Sequence, residues 1–266
     1  MSTDERGQVT KSAAEVYEEF FVPALFQEWA SRVTDAAGLR AGQRVLDVAC
    51  GTGVLARAAA ERVGPAGAVV GLDVNDGMLG VARRRAPQLE WRPGRAEALP
   101  FEDRSFDAVV SQFGLMFFED RAAALAEAMR VLKTNGRLAV AVWDSLDHCP
   151  GYAAVVALLQ RLFGRRAADA LRAPFALGDQ AALLGVFRTS GIADAKVATV
   201  RGTARFPSIP AWMYTDVRGW TLDEMIDDRQ FASLVTEAEK ELRAFVRPDG
   251  SVAFDMSGHI VTATKR

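Results

Sequence analysis

Apolar positions recur at helical spacing near the start of the chain. Ser12 with Glu15 reads as a capping box opening a helix, and Val16, Tyr17, Phe20 and Phe21 follow at helical intervals. Pro23 is expected to break this helix, or to start the next one at its first turn. Leu25, Phe26, Trp29 and Val33 form a second apolar stripe that ends at Gly38. From residue 44 the pattern changes to strand, loop, helix. Strand-length apolar runs fall at 44–49, 68–73, 89–92, 106–112 and 137–143. Helical periods lie between them at 54–63, at about 76–85 (stopped by Pro87) and at 121–132, with Asp120 as a cap. Asn135-Gly136 reads as a turn. A further helix is expected at 180–190, a sixth strand at 195–201, and a last strand at 252–264 with Gly258 and His259 in its middle, where a bulge fits.

This alternation predicts an α/β fold with a doubly wound, mostly parallel sheet. The near-continuous Val/Leu/Ala strands suit a sheet covered by helices on both faces. Residues 146–173 and 204–248 do not fit that core. The three tyrosines (Tyr17, Tyr152, Tyr214), with Trp29, Trp212 and Trp220, lie in the N-terminal helices or in these inserts. Amphipathic aromatics suit a place with one apolar face and one wet end, so the inserts are expected to cap one edge of the sheet.

Composition narrows the classes. The chain has 266 residues with 32 Lys+Arg against 34 Asp+Glu, a net charge of −2. A nucleic-acid binder usually carries a basic domain instead. Cys50 and Cys149 are the two cysteines, without metal-ligand spacing, so a disulfide scaffold and a structural zinc are disfavoured and no metal is expected. The polar N-terminus has no apolar secretory region and no apolar run is long enough to span a membrane. A cytoplasmic protein is the expectation.

The sharpest chemical feature is Val45-Leu46-Asp47-Val48-Ala49-Cys50-Gly51-Thr52-Gly53. A strand ends here in a glycine-rich turn that opens a helix. Ligands of open α/β sheets bind just beyond such strand ends. Asp73 ends the next strand, 20 residues past Gly53, where a carboxylate can accept hydrogen bonds from ribose hydroxyls. The turn also fits the permissive dinucleotide fingerprint, with Ala56 at its third position. Asp47 argues the other way: a carboxylate at the strand end repels a pyrophosphate and suits a cationic ligand. S-adenosylmethionine carries an ammonium and a sulfonium and no phosphate.

At these residues the sequence resembles the class I S-adenosylmethionine-dependent methyltransferases. It is most similar to the branch holding the quinone-biosynthesis and many small-molecule (type 11-like) enzymes. The resemblance rests on VLDVACGTG (45–53), VVGLDVNDGML (69–79), GRAEALPFEDRSFDAVVSQFGLMFF (94–118) and RVLKTNGRLAVAVW (130–143). It implies a Rossmann-like sheet of seven strands, the last antiparallel and inserted beside the sixth. It implies S-adenosylmethionine as cofactor, S-adenosylhomocysteine as product and a small-molecule methyl acceptor. Asp47, Cys50, Gly51 and Gly53 would wrap the methionine end, Asp73 both ribose hydroxyls, and Val74 and Met78 the adenine. Ala96 would offer a backbone N–H to the adenine ring, Gln112 would contact the methionine carboxylate region, and Tyr17 would close over the cofactor as a lid. Arg95 departs from the family's usual Asp or Asn; it has donors and no acceptor, so stacking on the adenine or pairing with Glu97 is expected. The expected division is 1–40 as lid helices, 41–145 as cofactor-binding core and 146–173 as a helical cap. Residues 174–203 then return to the core, 204–248 form a second cap and 249–266 the last strand.

Displacement at a sulfonium leaves a neutral, activated leaving group. The protein therefore contributes mainly proximity, orientation and exclusion of water, and needs a base only for a protonated nucleophile. His148, His259 and Asp144 are the candidates, each with an ordinary structural reading, and no base is assigned. Arg83–Arg85 and Arg165-Arg166 read as helix ends stabilised by the dipole. Phe113, Leu115, Met116, Phe117 and Phe118 read as core or pocket wall. The aromatic cap suggests an apolar or aromatic acceptor. The alternatives are a nicotinamide-dependent oxidoreductase on a Rossmann fold, and a catalytically silent S-adenosylmethionine-binding protein.

Overall fold

Strands that are apolar on both faces need helices above and below them, and the observed layering supplies these. The computed structural model describes residues 11–219 and 222–266; the side chain of Ser12, and Trp220, lie outside the described residues. The core elements in order are β1 (Arg44–Val48), α3 (Val54–Val63), β2 (Ala68–Asp73), α4 (Asp76–Arg85), β3 (Glu90–Pro93), β4 (Phe106–Gln112), α5 (Arg121–Val131) and β5 (Leu132–Trp143). Helix α8 (Gln180–Thr189), β6 (Lys196–Val200) and β9 (Gly258–Thr264) complete the core. The seven-stranded sheet runs β3-β2-β1-β4-β5-β9-β6. Strands β1 to β5 pair in parallel, whereas β9 lies antiparallel to both β5 and β6.

Asp120 caps its helix as expected, and Asn75 supplies a cap that the sequence reading did not name. The Asp120 carboxylate accepts from the Ala123 N–H at 2.9 Å, and Asn75 caps α4 through the Met78 N–H at 3.0 Å. Each satisfies a backbone donor that a helix start leaves open.

Four expectations are corrected. First, Pro23 does not break the N-terminal helix. Helix α1 (Lys11–Val16) runs into a π-helical segment, Tyr17–Phe26, with Pro23 inside, and on into α2 (Gln27–Ala37). The wider π turn spares the clash between a proline ring and the carbonyl four residues back. Second, the run 252–264 is two strands. Val252–Asp255 forms β8, which pairs with β7 (Thr203–Phe206) in a separate two-stranded sheet, while β9 enters the main sheet. Third, Asn135-Gly136 does not precede the fifth strand but sits inside it. The β4–β5 register shifts between Phe106 and Ala108, and Asn135 takes a left-handed φ of 64°. Fourth, Arg165 and Arg166 open α7 (Arg165–Arg172) rather than close a helix. The dipole does not favour cations there; Arg165 pairs with Asp169 one turn on, at 3.2 Å.

The segments outside the sheet are helical. Helices α6 (Pro150–Phe163) and α7 follow β5, and α9 (Ile209–Arg218) and α10 (Asp228–Glu241) follow β7. Trp212 is buried at the centre of this layer, stacked on Phe206 at 5.4 Å and tilted against Phe254 at 4.6 Å.

Candidate functional site

The glycine turn after β1 is shaped first by packing. Gly53 has a φ of 88°, a region that costs glycine nothing. A Cβ there would lie 2.3 Å from the Trp91 ring, and one at Gly71 would lie 2.4 Å from the same ring. Trp91 therefore fills the space a side chain would take under the turn. Ala49, at the end of β1, and Phe113, at the end of the neighbouring β4, also have positive φ, 56° in each case. Left-handed backbone costs such residues roughly 1–2 kcal/mol, and this pair of costs falls at one edge of the sheet.

Two carboxylates are buried beside the turn. Asp73 accepts from the Gly51 N–H through Oδ2 and from the Asn75 N–H through Oδ1, each at 2.8 Å. Burial pushes its carboxyl up, and the N–H groups of Asn75, Gly51 and Val74 oppose that rise. Asp47 is fully buried. Neither of its oxygens meets a hydrogen-bond donor at good geometry among the described residues; the Ala56 N–H is near enough to favour the carboxylate. Burial raises the Asp47 carboxyl well above the usual range and the charge of Asp73 adds to the rise, while Arg57 counters it. The Cys50 thiol, also buried, is pushed up chiefly by desolvation. These are buried acceptor oxygens beside the turn: a ligand bearing donors or positive charge favours their ionised form, whereas a pyrophosphate brings only further acceptors.

The π-helical segment covers the turn. A Cβ at Gly51 would stand 4.0 Å from the Tyr17 ring. Tyr17 stacks on Phe26 at 5.1 Å and touches Phe21 at 5.6 Å. Its hydroxyl is pushed up by burial, with Asp73, Glu18 and Asp47 reinforcing the shift. The segment is latched at two points. Gln112 Nε2 donates to the Phe26 carbonyl at 3.0 Å. Arg57 joins the lid to the turn, with one guanidinium nitrogen 3.0 Å from Glu18 Oε1 and the other donating to the Thr52 carbonyl at 2.8 Å. Arg85 also approaches Glu18, at 3.4 Å.

The structure thus gathers Tyr17, Asp47, Cys50, Gly51, Gly53, Asp73 and Gln112 around one turn. Met78 is buried in a small cluster with Ala14 and Val81, against Tyr17, whereas Val74 stands 52% exposed. Ala96 is buried. Arg95 does pair with Glu97, at 3.7 Å, and makes a closer contact of 2.6 Å with Glu119.

The three candidate bases lie together. Asp144 Oδ1 is 3.1 Å from His148 Nδ1 and 3.2 Å from His259 Nε2. His259 is buried and also bonded to the Gly178 carbonyl and to Thr199 Oγ1, at 2.8 and 2.9 Å, a set that ties strands and loop together. His148 is exposed; its hydrogen bond to Asp144 raises its pKa.

Next to Tyr17 lies a cavity of about 60 Å³. The π-helical segment supplies Tyr17, Phe21, Leu25 and Phe26, and the strand ends supply Phe113 and Trp143. Those last two rings stack at 3.6 Å. Tyr152, Phe175 and Asp216 close the far side, with Phe117 also in the wall. Asp216 is the residue that sequence reasoning missed. It is 2% exposed, its Oδ1 accepts from the Tyr152 hydroxyl at 3.1 Å, and its Oδ2 has no partner among the described residues. Burial pushes its carboxyl up to about 8, against the hydrogen bond from Tyr152 and the nearby Trp212 indole. A signal existed: Asp216 lies four residues after Trp212, on the apolar face of α9 that Ile209 opens.

Residues 46–140 match the family described as a methyltransferase domain. Demethylmenaquinone methyltransferase of Renibacterium salmoninarum is 48% identical over 116 residues, 43% of this chain and 47% of that protein. The ubiquinone/menaquinone biosynthesis C-methyltransferase UbiE of Hahella chejuensis is 44% identical over 118 residues, 42% of this chain and 47% of its own length. The chain thus spans about half the length of the curated relatives it matches. In structure, phosphoethanolamine N-methyltransferase 2 of Haemonchus contortus, solved with S-adenosyl-L-methionine, superposes with a TM-score of 0.62 at 18% identity, over 98% of this chain and 58% of that one. At that identity the likeness is one of fold.

Proposed function

With a methyltransferase domain at residues 46–140 as the premise, we propose that this protein moves a methyl group from S-adenosylmethionine to a small apolar or aromatic molecule. One observation carries the cofactor reading. Asp47 and Asp73 are buried side by side at the glycine turn, and Asp47 lacks a hydrogen-bonding partner among the described residues. A ligand with an ammonium supplies the missing donor and holds the carboxylate ionised; the pyrophosphate of a dinucleotide offers only acceptors and leaves Asp47 unsatisfied. The buried acceptors at the turn and the sugar-facing Asp73 therefore fit the cofactor.

Bound there, the cofactor supplies an activated methyl group on a sulfonium, with a neutral thioether as leaving group. The chain's residues hold and enclose it. Asp73, held by the Gly51 and Asn75 N–H groups, would offer its remaining lone pairs to the ribose hydroxyls, and Asp47 and the turn would face the methionine end. Val74, exposed as it is, and Met78 flank the adenine, with the backbone at Ala96 beside its ring. Arg95, which has no acceptor to offer the adenine, is paired with Glu119 and Glu97. Tyr17 shuts the turn from water, and the Glu18–Arg57–Thr52 link keeps it closed. Exclusion of water and fixed orientation are the contributions such a displacement needs. Segments 146–173 and 204–248 act as the cap over the acceptor, and residues 1–40 as the lid.

The test is thermal unfolding with S-adenosylmethionine, S-adenosylhomocysteine and NAD(H) in parallel. A ligand at about 100 times its dissociation constant adds about 2.7 kcal/mol. Stabilisation by the two adenosyl-sulfur compounds alone is expected, and its loss in Asp73→Ala. Stabilisation by NAD(H) alone would overturn the reading.

A further inference from the structure

We infer that Asp216 is the polar anchor of the cavity beside Tyr17, and that its free Oδ2 meets the hydroxyl of a neutral aromatic acceptor. The word acceptor rests on the methyl-transfer reading; the site itself rests on the cavity. Three observations carry it. Among the described residues the wall is built of rings and aliphatic side chains, with Tyr17, Tyr152 and Asp216 as its polar members and no lysine, arginine or histidine in it. Flat apolar ligands stack on such walls at little cost in ordering. Asp216 lines the cavity and is nine-tenths buried or more: Tyr152 fixes Oδ1, the Trp212 indole stands beside the carboxyl, and Oδ2 meets no hydrogen-bond donor at good geometry among the described residues. A buried polar atom in that state costs free energy until something hydrogen-bonds to it.

The chemistry of the partner follows. A carboxylate- or phosphate-bearing ligand finds no cation in the wall and one acid facing it, so anions are rejected. An ammonium requires a charged Asp216, yet burial holds the carboxyl up to about 8, so near neutral pH the side chain is mostly uncharged. A hydroxyl suits both states, since it donates to the carboxylate and accepts from the acid. Tyr152 acts through Asp216 as a positioning residue: its hydroxyl fixes which oxygen is free.

The probes share one ring: p-cresol, toluene, 4-methylbenzoate and 4-methylbenzylammonium, titrated calorimetrically into the full chain with and without S-adenosylhomocysteine. The expected order puts p-cresol first, about tenfold tighter than toluene, and 4-methylbenzoate last. Asp216→Leu brings p-cresol down to the level of toluene and leaves toluene unchanged. Tyr152→Phe keeps the carboxyl and weakens p-cresol about threefold without moving toluene; it serves where Asp216→Leu does not fold. The inference is overturned if 4-methylbenzoate or the ammonium binds as tightly as p-cresol. It also falls if p-cresol and toluene bind the unaltered protein alike. A p-cresol preference with no response to S-adenosylhomocysteine overturns the methyl-transfer reading and leaves the Asp216 site standing. The reverse pattern overturns the Asp216 site alone.

Discussion

Replacing Asp216 by Asn isolates one proton and makes its effect on folding measurable. The carboxyl is 2% exposed, receives a hydrogen bond from Tyr152 and has the Trp212 indole beside it. Its folded pKa is pushed up from 3.8 to about 8. The sign follows from proton counting. Between those two pH values the folded protein keeps the proton and the unfolded chain has released it. Folding stability from this group is therefore fully present below the lower value and is lost as pH rises to the upper one. The steepest loss is about 1.4 kcal/mol per pH unit, or roughly 3–6 °C of melting temperature per unit for a domain of this size. Asn keeps an oxygen for Tyr152 and has no proton to lose. Asp47 and Asp73 are also pushed up, but they are common to both proteins and cancel in the difference. The assay is calorimetric melting of both proteins from pH 5 to 7.5. The difference in melting temperature should widen steadily in favour of Asn as pH rises. Parallel curves would show that Asp216 is charged in the folded protein, and would refute the burial argument.

Other perturbations have equally definite outcomes. Gly53→Ala places a methyl 2.3 Å from Trp91 on a backbone with φ of 88°, so urea melts should show a loss of about 2 kcal/mol or more. Glu18→Gln removes the charge that Arg57 meets at 3.0 Å; it should lower stability by about 1–2 kcal/mol and weaken S-adenosylhomocysteine binding several-fold by calorimetry, and unchanged binding would remove the latch. Trp212→Ala should cost about 3–5 kcal/mol in chemical unfolding, because Trp212 is core against Phe206 and Phe254. Tyr214→Ala, at a position 40% exposed, should cost under about 1 kcal/mol.

The sheet was legible because its central strands are unambiguous. The runs ending in Asp73 and Gln112 have apolar centres (Val69-Val70-Gly71-Leu72 and Ala108-Val109-Val110) and polar C-terminal ends, so β2 and β4 were read at their observed limits. The run 252–264 was not resolved. Its alternation carries no sign of where one sheet ends, and the break at Met256 is set by a distant backbone bond, from the Met256 N–H to the Gly202 carbonyl at 3.0 Å. At the candidate site, Asp47 and the glycines stand within one short motif and Asp73 ends the next strand, so the sequence brings them to one place. Asp216 comes from an insert far along the chain, and only folding brings it opposite Phe113 and Trp143.

The π-helical segment sets the phase of everything before it. Nine residues separate Tyr17 from Phe26. At the 3.6 residues per turn of an α-helix they would point to roughly opposite sides of the axis. The i→i+5 bonding of a π-helix implies roughly 4.4 residues per turn, so nine residues make about two full turns and the two rings stack. The lid is therefore keyed to a residue count. Removal of a single codon from this stretch leaves every side chain at the glycine turn untouched. It nevertheless swings Tyr17 and Glu18 by about 100° away from Gly51 and Arg57. In a lineage of such proteins, insertions and deletions between Tyr17 and Phe26 would act as a coarse dial on cofactor enclosure, where substitutions at the turn act as a fine one.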